Sequence, residues 1–330
     1  MKESLASKLE RLDKIIADFV GNTPLIEVTD DKREGARIFA KLEWHNSIST
    51  SVKDRGCSNM IRAAIKETIN KGKDHLHLLE YASGTQAITL SILCGVLDIP
   101  TTIVVPGFVS ESDAKRLTLT GAQVVRTDIK ESFLGAMRKA EEMAREDENL
   151  TILHQHRNPA NPEAFEKGMA VEILSQLDEI GVNRVDAWTA AVGSGGTLSG
   201  VYNCLVKRFP DLKVYCITPK EMPYGTEQTP NTEPKLWGSG GTGCGIRQKF
   251  IKAMEDENKL TAHFHVALKE AHQGMANFYK KTGMLIGSTS AANLLVAKKL
   301  AKDLDKDKVV LTVFPALAVT RDMENMKDYL

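Results

Sequence analysis

The stretch Ser51-Val52-Lys53-Asp54-Arg55 places a lysine at the opening of a helix entered from the polar run Asn46-Ser47-Ile48-Ser49-Thr50. A lysine becomes a covalent catalyst when its ammonium is partly desolvated or lies near another cation, because both favour the neutral amine that attacks a carbonyl. By itself a Lys-Asp-Arg triplet reads as a solvated helix face, and what favours chemistry lies further along the chain. Gly193-Ser194-Gly195-Gly196-Thr197 follows an apolar run ending at Val192 and opens a helix. Its glycines let the backbone approach a ligand, and the free amides of a helix N-terminus favour a phosphate there. It has no Walker A ending and no Gly-x-Gly-x-x-Gly spacing, which counts against a nucleotide. Ala82-Ser83-Gly84-Thr85-Gln86-Ala87 is a second strand-to-helix turn, able to offer amides and hydroxyls to a carboxylate or simply to cap its helix. Gly287-Ser288-Thr289-Ser290-Ala291-Ala292 is a hydroxyl cluster that reads as a cap unless a ring nitrogen lies nearby.

These stretches need a scaffold, and 330 residues are enough for two packed lobes. Forty-three basic residues balance forty-three acidic ones, leaving no electrostatic footprint for nucleic acid or an anionic membrane. A small-molecule substrate is expected. Five scattered cysteines without Cys-x-x-Cys spacing argue against a disulfide framework or structural zinc, and a cytoplasmic location is expected. His263 and His265 share a strand and His75 and His77 a strand entry, but no partner cluster accompanies either pair and no metal site is expected.

Apolar residues at three- and four-residue steps predict an amphipathic helix over Leu5–Ala17, which must be covered by its own chain or by a second subunit. Strands follow at Leu25–Val28 and Arg37–Leu42, then a helix from Lys53 to about Asn70. Strands at His77–Leu79, Thr101–Val105 and Gln123–Val125 alternate with helices at about Gln86–Leu97, Glu111–Leu119 and Glu131–Arg145. The alternation resumes with a strand at Thr151–Leu153, a helix over Pro162–Gln176, a strand at Val185–Ala190, a helix over Gly196–Lys207 and a strand at Lys213–Ile217. Pro219–Gly245 reads as a long functional or mobile loop. Helices at Arg247–Glu257, Leu268–Lys280, Ser290–Leu304 and Val319–Tyr329, with strands at Ala262–Val266 and Val309–Phe314, complete the pattern. Such alternation means parallel sheets covered on both faces, hence an α/β fold of two lobes. Residues 40–150 are expected to form the smaller, mobile lobe, and 1–39 with 151–330 the larger.

The order Gly-Asn-Thr-Pro-Leu, Lys-Leu-Glu, Ser-Val-Lys-Asp-Arg, a Ser-Gly turn, Asn-Pro-Ala-Asn-Pro-Glu, Gly-Ser-Gly-Gly-Thr and Gly-Ser-Thr-Ser-Ala-Ala resembles the pyridoxal-phosphate enzymes of the cysteine synthase and cystathionine β-synthase family, over residues 21 to about 325. The resemblance implies pyridoxal 5'-phosphate held in the cleft between two lobes and, as the family usually forms one, a homodimer. It implies that Lys53 is the Schiff-base lysine and general base, that Gly193, Ser194, Gly195, Gly196 and Thr197 cradle the phosphate, and that Thr289 faces the pyridine nitrogen. Ser83, Gly84, Thr85, Gln86 and Gln155 fall where the family binds the substrate carboxylate, with Thr85 also near the cofactor. A hydroxyl at the ring nitrogen makes a moderate electron sink, which favours loss of a Cβ leaving group over transamination. The implied reaction is β-replacement on an O-acetylserine- or O-phosphoserine-like donor through an aminoacrylate. A serine or threonine deaminase and a binding or regulatory paralogue are the alternatives.

The family's carboxylate loop usually reads Thr-Ser-Gly-Asn-Thr-Gly; here Ala82 lacks the first hydroxyl and Thr85 replaces the asparagine. An Asn-Pro dipeptide is expected before the lysine, whereas Asn46-Ser47 stands here with one residue more before Lys53. Ala316-Leu317-Ala318 follows Pro315 where polar residues and glycine are typical. His156 and Arg157 follow Gln155 where an aromatic and a small residue are typical, and they are expected to enlarge or charge the site for an anionic substrate.

Overall fold

Alternating strands and crossover-length helices fold into two mostly parallel sheets. The computed structural model describes residues 3–30, 34–222, 243 and 245–330. It divides into one unit of residues 1–21, 46–49 and 53–161 and a second of 22–45, 50–52 and 162–330. In chain order the elements run α1 (Leu5–Phe19), β1 (Leu25–Glu27), β2 (Arg37–Leu42), α2 (Lys53–Asn70), β3 (His77–Tyr81) and α3 (Thr85–Val96). Then come β4 (Thr101–Val105), α4 (Glu111–Leu119), β5 (Gln123–Arg126), α5 (Ser132–Glu146), β6 (Leu150–Ile152), α6 (Ala160–Ala164) and α7 (Ala170–Glu179). The chain closes with β7 (Ala187–Ala191), α8 (Gly196–Arg208), β8 (Lys213–Pro219), α9 (Lys249–Asp256), β9 (Ala262–Val266), α10 (Leu268–Thr282), α11 (Ser288–Lys302), β10 (Val309–Phe314) and α12 (Thr320–Met326).

The first unit holds a four-stranded sheet in the order β5-β4-β3-β6, with every pairing parallel. Leu12 of α1 packs with Met60, Ile61 and Ile65 of α2 in the same apolar cluster as Leu78 and Leu90. The stripe on α1 is thus covered by its own chain, and α1 sits with the lysine-bearing unit, where the sequence reading had placed residues 1–39 in the other lobe. Fully buried Leu12 explains the arrangement: burying such a side chain contributes about 1.5–3 kcal/mol, and α2 supplies the apolar face.

The second unit holds a six-stranded sheet in the order β1-β2-β10-β7-β8-β9, parallel except where β1 pairs with β2. Alternate residues serve opposite faces. Trp188 and Leu311 join the cluster of Val201 and Leu205 from α8, while Ala187 and Val310 join Val296 and Ala297 from α11. Both faces are therefore covered, which the nearly unbroken apolar runs of β7 and β10 require.

Two boundaries depart from the sequence reading in ways that matter for the site. The helix predicted over Pro162–Gln176 starts at Ala160 and passes through a π turn, Phe165–Met169, between α6 and α7. There α8 approaches so closely that a Cβ on Gly200 would lie 2.1 Å from the Pro162 carbonyl oxygen. Helix α11 starts at Ser288, so Ser288 and Thr289 lie inside its first turn, and Gly287 is the cap. Of the expected loop Pro219–Gly245, residues 223–242 and 244 lie outside the described residues, and Pro219 ends β8.

Candidate active site

Lys53 is the first residue of α2. It is half-buried, and desolvation of its ammonium pulls its pKa below the ordinary lysine range, toward the neutral amine that attacks carbonyls. The next residue, Asp54, is fully buried. Its carboxylate accepts from the backbone N–H groups of Ile48 (3.0 Å) and Ser49 (3.0 Å) and from Thr89 Oγ1 (2.9 Å). Burial pushes the Asp54 carboxyl up, and those donors pull it back. The polar run before Lys53 is thus wound onto the side chain that follows it. Val52 Nα–H donates to the Pro315 carbonyl at 2.9 Å, and Ser51 bridges Ala316, so the residues just before Lys53 are anchored in the second unit.

The carboxylate-type turn lies in the same unit as Lys53. Ser83 and Gly84 are exposed, Thr85 is half-buried and Gln86 is buried. Gly84 caps α3 with its carbonyl, which accepts from Ala87 N–H at 2.9 Å. The Gln86 Nε2 amide is buried without a hydrogen-bond partner among the described residues. A buried donor left unpaired costs free energy, so it marks a place for a ligand's acceptor atom. Gln155 is buried too; its backbone N–H donates to Glu80 Oε2 (3.1 Å) and its carbonyl accepts from Asn161 Nδ2 (2.7 Å). Asn59 of α2 reaches the Ala160 carbonyl at 2.8 Å, tying the lysine's helix to the Gln155 segment. The first unit therefore gathers Lys53, Ser83, Gly84, Thr85, Gln86 and Gln155.

Gly193, Ser194, Gly195, Gly196, Thr197 and Thr289 lie in the second unit. Gly195 adopts φ 89°, the left-handed conformation suited to glycine, and caps α8. A Cβ there would sit 3.0 Å from Ile251 Cγ1, so a side chain would have to push Ile251 aside. Ser194 Oγ accepts from Gly196 N–H at 3.4 Å, and Ser199 Oγ donates to the Gly195 carbonyl at 2.8 Å. Thr289, half-buried, lines a cavity with Ala191, Thr218, Glu221 and Ser288.

Pyridoxal 5'-phosphate asks for a reactive amine, a nest of amides for its phosphate and a partner for its ring nitrogen. The residues present supply each: in the first unit Lys53 is desolvated, and in the second Gly195 caps a helix N-terminus in a conformation suited to glycine and Thr289 borders a cavity.

Several residues that build the site escaped the sequence reading. Asn293 is fully buried; its Oδ1 accepts from Ala191 N–H (2.8 Å) and its Nδ2 donates to the Val313 carbonyl (2.7 Å). It holds the end of β7, where the glycine turn begins, against the helix that carries Thr289. The signal was an amide on an apolar helix face one turn after the hydroxyl cluster. Thr89 was missed likewise, as a lone hydroxyl among apolar residues. His156 is buried against Tyr81 and Arg157 is exposed, with its guanidinium 3.4 Å from Glu141 Oε1. His263 Nε2 pairs with Glu255 at 2.6 Å and His265 Nδ1 with Thr218 at 2.9 Å. Among the described residues no group of three or more His, Cys, Asp or Glu is placed to hold a metal, and no helix is long and apolar enough to cross a membrane.

A family model described as pyridoxal-phosphate dependent enzyme matches residues 16–316. The chain is 32% identical over 306 residues to a cysteine synthase of Staphylococcus aureus (strain N315), covering 91% of this chain and 93% of that protein. It is 30% identical over 302 residues to cysteine synthase B of Campylobacter jejuni, covering 90% and 93%. Among solved structures, an O-acetylserine dependent cystathionine beta-synthase from Helicobacter pylori superposes with a TM-score of 0.78 at 28% identity, covering 92% of this chain and 95% of that one.

Proposed function

The chain belongs to the pyridoxal-phosphate dependent enzymes, in the cysteine synthase family, and from that premise we propose that it catalyses β-replacement on a serine-derived amino acid. The observation that carries the reading is the desolvated Lys53 at the start of α2, braced through Asp54 and Thr89 to the turn that holds Thr85. In this reading Lys53 would hold the cofactor at its aldehyde, the Gly193–Thr197 amides would hold the phosphate and Thr289 would serve the ring nitrogen. When bound, the cofactor supplies an aldehyde carbon and an electron-withdrawing ring that acidify the Cα–H of a bound amino acid.

The protein's own part is binding and proton transfer. Ser83, Thr85 and the unpaired Gln86 amide bind the substrate carboxylate, and Gln155 completes its cage. Lys53 Nζ, freed by the substrate's own amine and poised toward its neutral form, would take the Cα proton, the transfer that replacing a Cβ leaving group by a sulfur, amine or carbon nucleophile requires. The donor favoured is an ester of the O-acetylserine type. The Helicobacter pylori neighbour is named as O-acetylserine dependent, and Arg157, the cation that would have favoured a phosphorylated donor, faces Glu141. A homodimer is part of the reading, supported by apolar Leu317, Val319 and Leu330 exposed on the second unit.

The test mixes purified, cofactor-loaded protein with O-acetylserine and a thiol, amine or sulfide. Formation of the β-substituted amino acid is expected; pyruvate and ammonia as the sole products would replace this reading with a deaminase.

A further inference from the structure

Tyr81 ends β3 with its ring fully buried, and its hydroxyl lies 2.8 Å from His154 Nδ1 and 3.0 Å from His156 Nδ1. The two histidines flank Gln155 in sequence. We propose that Tyr81, His154 and His156 form a directed hydrogen-bond relay that positions Gln155 for the substrate carboxylate. The proposal rests on the reading above that Gln155 belongs to the amino-acid site.

Proton inventory sets the direction. A phenol has one proton, so the two imidazole nitrogens facing Tyr81 cannot both accept it. His154 Nε2 lies 3.1 Å from Glu141 Oε1, and a carboxylate only accepts, so this nitrogen carries a proton. Burial, reinforced by the charge of Arg157, holds the His154 pKa below the ordinary histidine range and keeps the ring neutral. Its Nδ1 is therefore bare and accepts from Tyr81. The phenol oxygen, its proton committed, accepts in turn from His156 Nδ1–H. The relay runs from His156 through Tyr81 and His154 to Glu141, with the two rings in opposite tautomers.

Packing locks the arrangement. The His156 ring stacks on Tyr81 at 5.4 Å with 10° between planes, and Phe133 of α5 meets both rings edge-on at 5.6 and 5.7 Å. Among the described residues, charged or titratable groups facing the cluster include Glu141 from α5, Arg157 from the same loop and Glu80 from β3, whose carboxyl accepts from Gln155 N–H. Gln155 Nε2 faces the Tyr81 carbonyl at 3.4 Å, so one residue grips the glutamine from its main chain and both neighbours from its side chain. His154 has φ 56°, a conformation that disfavours a residue with a Cβ, and the grip on its ring accounts for its persistence.

The test is nitrogen-detected NMR of histidine-labelled, cofactor-loaded protein, in wild type and in Tyr81→Phe, combined with amino-acid titration. The phenylalanine variant keeps the stacked ring and removes only the hydroxyl. Opposite tautomers for His154 and His156 in wild type, with amino-acid affinity weakened about tenfold in Tyr81→Phe and little change in the maximal rate, support the proposal. The same tautomer on both rings, or undiminished affinity in the variant, overturns it. Opposite tautomers in a wild-type protein that binds no amino acid overturn the positioning role through the reading beneath it, and the intact ring signals tell that failure apart. His156→Phe, which keeps an aromatic at that position, supplies a second variant: unchanged affinity there also overturns the proposal.

Discussion

Thr89 Oγ1 lies 2.9 Å from Asp54 Oδ1 and 2.9 Å from the Thr85 carbonyl, so its single proton is shared between the residue after Lys53 and the turn expected to hold the substrate carboxylate. Thr89→Val keeps the shape and removes the hydroxyl. A buried carboxylate then loses a donor, at a cost of about 1–3 kcal/mol. Chemical denaturation is expected to show that loss, together with a raised KM for the amino acid.

Glu80 gives a pH test. Burial lifts its carboxyl to about 8, against hydrogen bonds from Tyr81 and Gln155 that favour the charged form. Between the ordinary glutamate value of 4.5 and that figure, the folded chain binds one proton more than the unfolded chain. This contribution to stability is fully present below the unfolded value and is lost as pH rises through the folded one, at up to about 1.4 kcal/mol per pH unit. Glu80→Gln stays neutral, so the slope attributable to Glu80 should vanish. His154, with its lowered pKa, contributes with the opposite sign in both proteins and cancels in the difference. Urea unfolding across mildly acidic to mildly alkaline pH measures this; parallel slopes for wild type and variant would refute it.

Gly195→Ala tests the phosphate turn. The residue sits at φ 89°, and a Cβ would press on Ile251 at 3.0 Å. Strain of about 1–3 kcal/mol is expected, concentrated at the turn. Cofactor retained through dialysis should fall more steeply than the melting temperature; full retention would detach the turn from phosphate binding.

Arg157→Ala is expected to leave the Michaelis constants of accepted donors within about twofold, because an exposed ion pair with Glu141 contributes about 0–1 kcal/mol. A marked loss confined to phosphorylated donors would restore the charged-site expectation.

Much of this was legible before the structure. Strand and helix alternation gave both parallel sheets, because period and crossover length are local properties of the sequence. Lys53 opening α2 and Gly193–Thr197 opening α8 follow from glycine placement and apolar periodicity, and both sit where expected. What escaped reading depends on pairing across distance. Asn293 holds Ala191, Thr89 holds Asp54 and Tyr81 holds two histidines more than seventy residues away. No local pattern distinguishes such a side chain from an ordinary polar residue in a helix or strand. Helix α1 was misassigned for the same reason: periodicity shows that Leu12 must be covered but does not name α2 as the cover.

Lys53 is the residue on which the chemistry turns. Its replacement by alanine should remove a proton-transfer contribution of about 10²–10⁴-fold with the fold retained. The most direct measurement is borohydride reduction of the cofactor-loaded protein followed by peptide mass mapping. The expected result is a phosphopyridoxyl adduct on the peptide containing Lys53. An adduct on Lys41 or another lysine, or none at all, would contradict the assignment.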